Sequence, residues 1–449
     1  MSQSLGREIG LLRSLATHLE RRPLPLERVT QEFLHRERLG YVGERANSLI
    51  CIRIPGHRAL SALTDCLLDR FPAIERGAVY TDVQGELFDL IEVYVDRDPL
   101  TLGSEDVELL FASIEKWFTA KGSLRRVFVP CVLSRASALR FEVGPVAFEF
   151  IDRITTSEFY PRGDSEEAVL GRIGFDRLLQ WMRERDGDWM ARVSVDGCEQ
   201  KRSEEIAELT VDLAIVALQL AAPYLDTRAM TRLDARRGSS QKLTLSETDG
   251  YHNFGWRRQE PGMVIGQGVL SDILQTAAPL FAAVGNVLRS FASGSFRLAI
   301  LEQAWCDSAY WFHQALVESI DSIAVAKLET ALEVLLRSES SRGSERRMLV
   351  ILKTFFELDP DDAVVPGSAL SARQFARNLV RDRSRILHGT WSTLNVRGID
   401  RGGLEGFVTT VLRSAAIQLD LYAKSVAPVD DVDAFLDWVC QAKLINAAR

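Results

Sequence analysis

The chain has 449 residues, of which 46% are hydrophobic and 26% charged, and its formal net charge is −8. This length exceeds what one hydrophobic core usually serves, so two or three domains are expected. The acidic balance excludes a protein that coats nucleic acid through its overall charge, and any RNA site must be a local positive patch.

The sequence also bears on the compartment. Six cysteines are scattered without a CxxC pair, mostly among apolar residues, which is typical of reduced core thiols in a cytosolic protein. Residues 1–22 lack the apolar core of a signal peptide. The longest apolar run, residues 213–223, is too short to cross a bilayer. We therefore expect a cytoplasmic protein with no membrane partner.

Residues 1–163 are expected to form a mixed α/β domain with antiparallel strands. Helical periodicity predicts helices at residues 5–20, 59–71 and 105–119. Short β-branched or aromatic runs predict strands at residues 48–54, 87–95 and 126–129. Gly144-Pro145 lies between two further runs, residues 138–143 and 146–151, which predicts a hairpin.

Residues 164–293 are expected to form a middle α+β region, because the polar stretch from Gly163 is typical of a boundary. Elements are predicted at residues 175–184 (helix), 190–195 (strand) and 203–222 (helix). Residues 231–262 predict a long polar loop. Its aromatic residues interleaved with arginines could stack on bases and hold phosphates, or the loop could dock through Phe254 and Trp256.

Residues 294–449 predict an all-helical bundle, which makes the whole chain an α+β multi-domain protein. Six helices are expected, at residues 296–318, 320–336, 344–357, 371–388, 403–425 and 430–445. Short loops between them favour an antiparallel arrangement. Asp430 is expected to cap the last helix, and His313 to be a core or interface histidine.

The helix at residues 371–388 carries the most informative pattern. Ser371 can cap its start, and Gly389 can end it, so that His388 is its last residue. On a helical wheel Phe375, Ala376, Val380, Ile386 and Leu387 fall on the face to be buried. An exposed stripe is formed by Arg373, Arg377, Arg381 and Arg385, with His388 in its middle. Arg383 falls within the apolar face and needs an acidic partner.

A titratable imidazole among arginines has two interpretations. A histidine moves protons near neutral pH, and guanidinium groups hold a phosphodiester, which is the equipment for metal-free RNA cleavage by the ribose 2′-OH. Alternatively, the stripe is a solvated basic face with a histidine at the helix C-terminus, where the dipole favours a cation.

Two motifs add a resemblance to this pattern. The run Arg383-Ser384-Arg385-Ile386-Leu387-His388-Gly389 resembles the RxxxxH signature of HEPN domains, in the form found in the Apea-like HEPN family. About fifty residues earlier, Ala331-Leu-Glu333-Val-Leu-Leu336 is similar to the ALExLL helix that precedes the motif helix there. The resemblance covers about the last 155 residues.

The resemblance implies a bundle that dimerises and joins two motifs into one composite site. Many family members are metal-independent endoribonucleases of defence or toxin systems. By carry-over Arg383 and His388 are the catalytic pair, with Ser384 at a polar position that many members fill with Asn, Asp or His. Glu333 matches the family's acidic position and is the expected partner of Arg383.

Two hypotheses follow for function. The first is a homodimeric endoribonuclease without metal or cofactor, in which Arg377, Arg381 and Arg385 bind RNA and the N-terminal domains sense an activating ligand or a phage or cellular trigger. The second is a non-catalytic HEPN scaffold that binds nucleotide, RNA or protein. On an ideal helix Arg383 and His388 point about 140° apart, so they converge only if the last turn deforms or a partner subunit completes the site.

Overall fold

The computed structural model describes residues 5–23, 39–44, 48–235, 241–258, 262–338, 341–365, 367–392 and 400–447. The chain divides into two compact units. Unit 1 comprises residues 1–125 and 195–205, and unit 2 comprises residues 126–194 and 206–449. The three predicted segments, 1–163, 164–293 and 294–449, remain a prediction, and this division follows other boundaries.

Unit 1 combines a small antiparallel sheet with helices. Its strands are β1 (Leu19–Pro23), β2 (Leu39–Glu44) and β3 (Ser48–Arg53), with β3 in the centre. Its helices are α1 (Gly6–Thr17), α2 (Ile54–Arg70), α3 (Pro72–Gly77), α4 (Tyr80–Leu90) and α5 (Ser104–Lys121). A core of leucines and aromatic residues joins these elements, with Leu12, Leu60 and Phe111 fully or almost fully buried.

One predicted strand of this unit is wrong. Residues 87–95 complete α4 and continue as a 3₁₀ helix at Ile91–Tyr94. Leu87, Phe88, Ile91 and Tyr94 are all buried, which is a helical spacing. The apolar run is short enough to suit either period, and packing against the core decides for the helix.

Unit 2 contains a five-stranded sheet in the order β5-β6-β7-β4-β8. The strands are β4 (Ser123–Val132), β5 (Phe141–Val143), β6 (Val146–Phe150), β7 (Trp189–Cys198) and β8 (Thr231–Arg232). The predicted hairpin is confirmed, because β5 pairs with β6 across Gly144, whose φ is +60°. β7 leads into unit 1 at Val195, and the chain returns from it within α7 (Gln200–Ala221).

The predicted loop at residues 231–262 is largely a hairpin. Strands β9 (Gln241–Thr248) and β10 (Tyr251–Arg258) pair antiparallel across a turn at Asp249-Gly250. Both turn residues have positive φ, which is the geometry of a tight hairpin turn. The polar composition indicated a loop, but alternating side chains also suit a strand with two solvated faces.

The rest of unit 2 is helical. Between strands lies α6 (Glu166–Arg183), and α8 (Val269–Thr276) and α9 (Ala278–Ser293) were not predicted. The six predicted C-terminal helices are all present, as α10 (Ala299–Leu316), α11 (Asp321–Leu335), α12 (Ser341–Phe356), α13 (Ala372–Leu387), α14 (Arg401–Tyr422) and α15 (Val432–Ala447).

The acidic pair before α15 caps two different helices. Asp431, and not Asp430 as predicted, accepts the hydrogen bond from Ala434 in the first turn of α15. The Asp430 carboxylate instead accepts from the backbone N–H groups of Ile300 and Leu301, at the start of α10. Asp430 therefore fastens the first helix of the bundle to the segment before the last.

Helix α10 lies at the centre of this bundle. Trp305 is fully buried and donates its indole N–H to the carbonyl of Leu412 in α14 over 3.1 Å. His313 is also buried, as predicted, and its Nδ1 lies 3.1 Å from Oε1 of Gln219. Burial, together with the positive charge of Arg232, lowers the pKa of His313 to about 4, so this imidazole is neutral.

The chain is thus an α+β protein, with a mixed N-terminal region and a helical C-terminal region. Across the described ranges, no helix combines the length and the apolar character that a membrane span requires.

Candidate active site

Both ends of α13 have the predicted caps. The hydroxyl of Ser371 accepts from the N–H of Gln374, and Gly389 follows the helix with φ +67°. The N–H of Thr390 donates to the carbonyl of Arg385 over 2.9 Å, and that of Gly389 to Ile386 over 3.1 Å. This pair of bonds is the Schellman arrangement, which fixes where the helix stops and where His388 stands.

The faces of α13 follow the helical wheel except at Leu387 and Asp382. Ala376 and Leu379 are buried, whereas Leu387, expected on the buried face, is 60% exposed. Leu387 is the last residue of α13. Asp382 is 8% exposed, although nothing in the sequence marked it as buried.

The ion pair expected for Arg383 is present. Nη1 of Arg383 lies 2.6 Å from Oε2 of Glu333 on α11. The other carboxylate oxygen of Glu333 accepts a hydrogen bond of 2.8 Å from the hydroxyl of Ser344 on α12. Three helices therefore meet at this pair, and Arg383 is held half-buried with 29% of its side chain exposed.

A second carboxyl group lies beside this pair, one turn earlier on α11. Glu329 is completely buried, and among the residues that the structure describes neither of its oxygens has a hydrogen-bond partner. Burial raises its pKa to about 9, repulsion from Glu333 and Asp382 adds to the rise, and the charge of Arg383 opposes it. Glu329 is therefore protonated at neutral pH, so it adds no negative charge beside the Arg383–Glu333 pair.

The arginine stripe is on the surface, as predicted, and its members have separate partners. Nε of Arg377 lies 2.7 Å from Glu345, and Nε of Arg381 lies 3.1 Å from Asp382. The guanidinium of Arg385 lies over the ring of Trp391 at 5.3 Å from the centroid. Arg373 lies 3.5 Å from Asp361. The guanidinium groups of Arg377 and Arg381 are exposed, and exposed ion pairs are weak, so these arginines can exchange their partners for phosphate.

The predicted base lies at the end of the same helix. His388 is exposed, and its backbone N–H donates to the carbonyl of Ser384 over 3.0 Å. Within the described ranges its imidazole forms no hydrogen bond or ion pair, and Ser384 is partly buried. The structure thus brings Arg383 to Glu333 and leaves His388 open to solvent next to Arg385.

A cavity of about 280 Å³ opens on the opposite side of α13. Its polar lining includes Ser368, Asn378, Asp382 and Asp400 among apolar side chains. Two carboxylates would repel a phosphodiester, so RNA would have to bind on the exposed arginine face. Across the described part of the chain, no three metal-ligating side chains converge.

The hairpin β9–β10 offers a different surface from the one expected of it. Phe254 and Trp256 are 69% and 62% exposed, so they do not dock on the body of the protein. The register places them opposite Leu245 and Leu243, on one face of the hairpin. Arg232 pairs with Asp212 and Asp234, while Arg236 and Arg237, part of the same predicted RNA contact, lie outside the described residues.

The sequence reasoning overlooked Glu329 and Asp382. The signal for Glu329 was available, because Glu329 and Glu333 are four residues apart on a helix that is otherwise apolar, and so share a face. Asp382 stands next to Arg383, but the wheel assigned the buried face to apolar residues alone.

Comparison with family models, with curated proteins and with solved structures finds no match for this chain.

Proposed function

We propose that this protein is a metal-independent endoribonuclease of the HEPN type, which acts as a homodimer. The observation that carries the proposal is the end of α13, where an exposed imidazole follows a guanidinium held by Glu333 and stands among three exposed arginines. The RxxxxH resemblance supports the family and the dimer.

In the proposed reaction the ribose 2′-OH attacks the neighbouring phosphorus atom. His388 takes the proton from the 2′-OH or returns one to the leaving 5′-oxygen. The P–O5′ bond breaks, and the products are a 2′,3′-cyclic phosphate and a 5′-OH. Arg383 would stabilise the charge on the pentacoordinate phosphorus, and Arg377, Arg381 and Arg385 would hold flanking phosphates.

We further propose that the protein acts in the cytoplasm, in defence or as a toxin-like effector, with the N-terminal region responding to a trigger. The family resemblance supports this role.

The test is cleavage of total cellular RNA by the wild type and by His388→Ala, each with and without EDTA. We expect cutting that survives EDTA and falls by about 10²- to 10⁴-fold in the variant. His252→Ala, which removes another exposed histidine, should cut like the wild type. Light scattering must show that all three proteins are dimers. Cutting by His388→Ala at the wild-type rate would refute the assignment of this residue.

The arginines can be separated in the same assay. If Arg383 performs the phosphate chemistry, a folded dimer of Arg383→Ala loses activity. If the exposed arginines do so, Arg381→Ala and Arg385→Ala lose activity and Arg383→Ala unfolds or dissociates instead, because Glu333 is left unpaired. Arg346→Ala, an exposed arginine on α12, is the matched control.

One observation favours a second candidate, the non-catalytic HEPN scaffold. The charge of Arg383 is already paired with that of Glu333 within the chain, which is what a purely structural arginine requires. If neither wild type nor variant cuts RNA, expression in cells decides. Toxicity of the wild type but not of His388→Ala indicates a latent enzyme, and the absence of toxicity favours the scaffold.

A further inference from the structure

Unit 2 contains a second basic site, remote in sequence from α13. A cleft of about 550 Å³ opens between strands β4 and β7, helix α6 and the segment that follows β6. We call it the arginine–aromatic cleft. Its charged lining is Arg126, Arg162, Arg192 and Glu158. Three guanidinium groups and one carboxylate leave a local excess of positive charge on a chain whose net charge is −8.

The negative charge of Glu158 is paired with two arginines. It accepts from Arg192 over 2.7 Å and from Arg140, at the rim, over 2.6 Å. These two bonds lower the pKa of Glu158, so it stays ionised and holds both arginines in place. The exposed carboxylate therefore offsets the charge of Arg192 and leaves the charges of Arg126 and Arg162 in the cleft unpaired by it.

The other two arginines keep their charge free for a ligand. Arg162 donates to the backbone carbonyl of Thr156 over 2.7 Å, and a neutral acceptor leaves the guanidinium charge in place. Arg126 is exposed, and none of the residues that the structure describes forms an ion pair with it. Two donors of this kind suit an anion with several oxygens, such as a phosphate.

The remaining lining is aromatic except for Pro161. Phe128 and Phe175 meet edge to face at 4.7 Å between ring centroids, and Tyr160 lies 6.0 Å from Phe175. All three side chains are only partly buried. Phe159 is buried beneath them, with the guanidinium of Arg192 over its ring at 4.7 Å. The cleft thus combines open aromatic surface with guanidinium groups.

We propose that the arginine–aromatic cleft binds a nucleotide, with its phosphates on Arg126 and Arg162 and its base against Phe128 and Phe175. A phosphate alone would leave the aromatic wall unused, and 550 Å³ exceeds what inorganic phosphate fills. Bases stack on aromatic side chains with little regard to their identity, so selectivity among bases is expected to be low.

The inference does not depend on ribonuclease activity. The cleft uses residues between 126 and 192, and binding is measured without RNA. Loss of cleavage in His388→Ala would leave nucleotide binding unchanged, and loss of binding in a cleft variant would not bear on the chemistry at α13.

Isothermal titration calorimetry of the full chain tests the proposal, with ADP, adenosine, pyrophosphate and phosphotyrosine as probes. We expect ADP to bind at least about tenfold more tightly than adenosine or pyrophosphate, because each lacks one of the two groups that the cleft holds. ADP binding should also weaken with salt. Pyrophosphate or phosphotyrosine binding as tightly as ADP would overturn the assignment, as would no binding of ADP.

Variants locate the site. Arg126→Ala is expected to weaken ADP binding about tenfold, since it removes a charged hydrogen-bond donor from an exposed position. Phe175→Leu keeps an apolar side chain but removes the aromatic ring. It should weaken the binding of ADP and leave the binding of pyrophosphate unchanged. Arg177→Ala, an exposed arginine on α6 outside the cleft lining, is the control. ADP binding unchanged in both Arg126→Ala and Phe175→Leu would refute the proposal.

Discussion

Arg383 has a structural role in the ion pair with Glu333 and a proposed catalytic role. Its Nη1 pairs with Glu333, while its Nε is buried and has no hydrogen-bond partner in the described part of the chain. A buried unsatisfied donor costs about 1–3 kcal/mol. The guanidinium therefore sits in a place that folding alone does not favour, which is common at functional sites.

The buried acid next to it predicts an unusual dependence of stability on pH. Glu329 has a pKa of about 9 in the folded chain, against 4.5 ordinarily. Between these values the folded state holds a proton that the unfolded state has released, so stability falls as pH rises through this window. Glu329→Gln removes this loss of stability, because glutamine has no proton to release. As the pH rises from 5 to 8, we expect the free energy of unfolding of the variant to increase relative to that of the wild type by on the order of 3 kcal/mol. Urea denaturation at the two pH values measures this change.

A second buried glutamate provides the control. Glu302 is also fully buried, but it pairs with Arg297 over 2.6 Å. Glu302→Gln should lose stability at both pH values, because it leaves a guanidinium without its carboxylate. An equal response of the two variants would contradict the protonated state assigned to Glu329.

At the scale of the element, α13 depends on its C-terminal cap. Gly389 has φ +67°, and a Cβ there would meet nothing within 4 Å among the described residues beyond its chain neighbours, so backbone strain is what opposes a side chain. Gly389→Ala should cost about 1 kcal/mol, and Gly389→Asn less, because Asn tolerates the left-handed conformation. Chemical denaturation measures both. Equal stability of the two variants would argue against the Schellman cap.

A helix or strand could be predicted from the sequence when its hydrophobic pattern repeats over enough residues. The C-terminal helices repeat their apolar positions over several turns, so all six were predicted, with ends shifted by a few residues. Leu87 to Val95 supplies too few residues to separate the two periods, and the core made it helical. The hairpin β9–β10 has little burial, so hydrophobic patterning carried little information there.

The site was predictable only where it rests on helical geometry. Spacing alone placed the arginine stripe outside and required a partner for Arg383, which is present as Glu333. The burial of Glu329 and Asp382 arises from packing between α11 and α13, which no local pattern encodes. The arginine–aromatic cleft joins residues from four separate segments, so no local sequence pattern predicts it.

At the scale of the whole molecule, unit 2 relies on one close approach between its sheet and its helices. A Cβ added to Gly285 on α9 would lie 2.7 Å from the backbone nitrogen of Gly144, in the turn between β5 and β6. Backbone atoms cannot yield cheaply, so Gly285→Ala should lose about 1–3 kcal/mol.

A glycine in open space gives the comparison. Gly406 lies within α14, and a Cβ there would meet nothing within 4 Å. Gly406→Ala should gain about 0.5–1 kcal/mol, as expected for alanine in a helix interior. Thermal unfolding measures both variants, and a stabilised Gly285→Ala would show that α9 and the β5–β6 turn are not in contact.

Unit 1 includes residues 195–205, which come in the sequence after the first part of unit 2. The N–H of Glu199 donates to the carbonyl of Gly77 over 2.8 Å, and Nε of Arg202 to that of Arg76 over 2.9 Å. A gene fragment ending at residue 125 would omit both donors. Unit 1 is therefore not a portable module. Recombination that exchanged the N-terminal region alone would have to bring a matching segment around residues 195–205, so the two halves of the gene are expected to be inherited together.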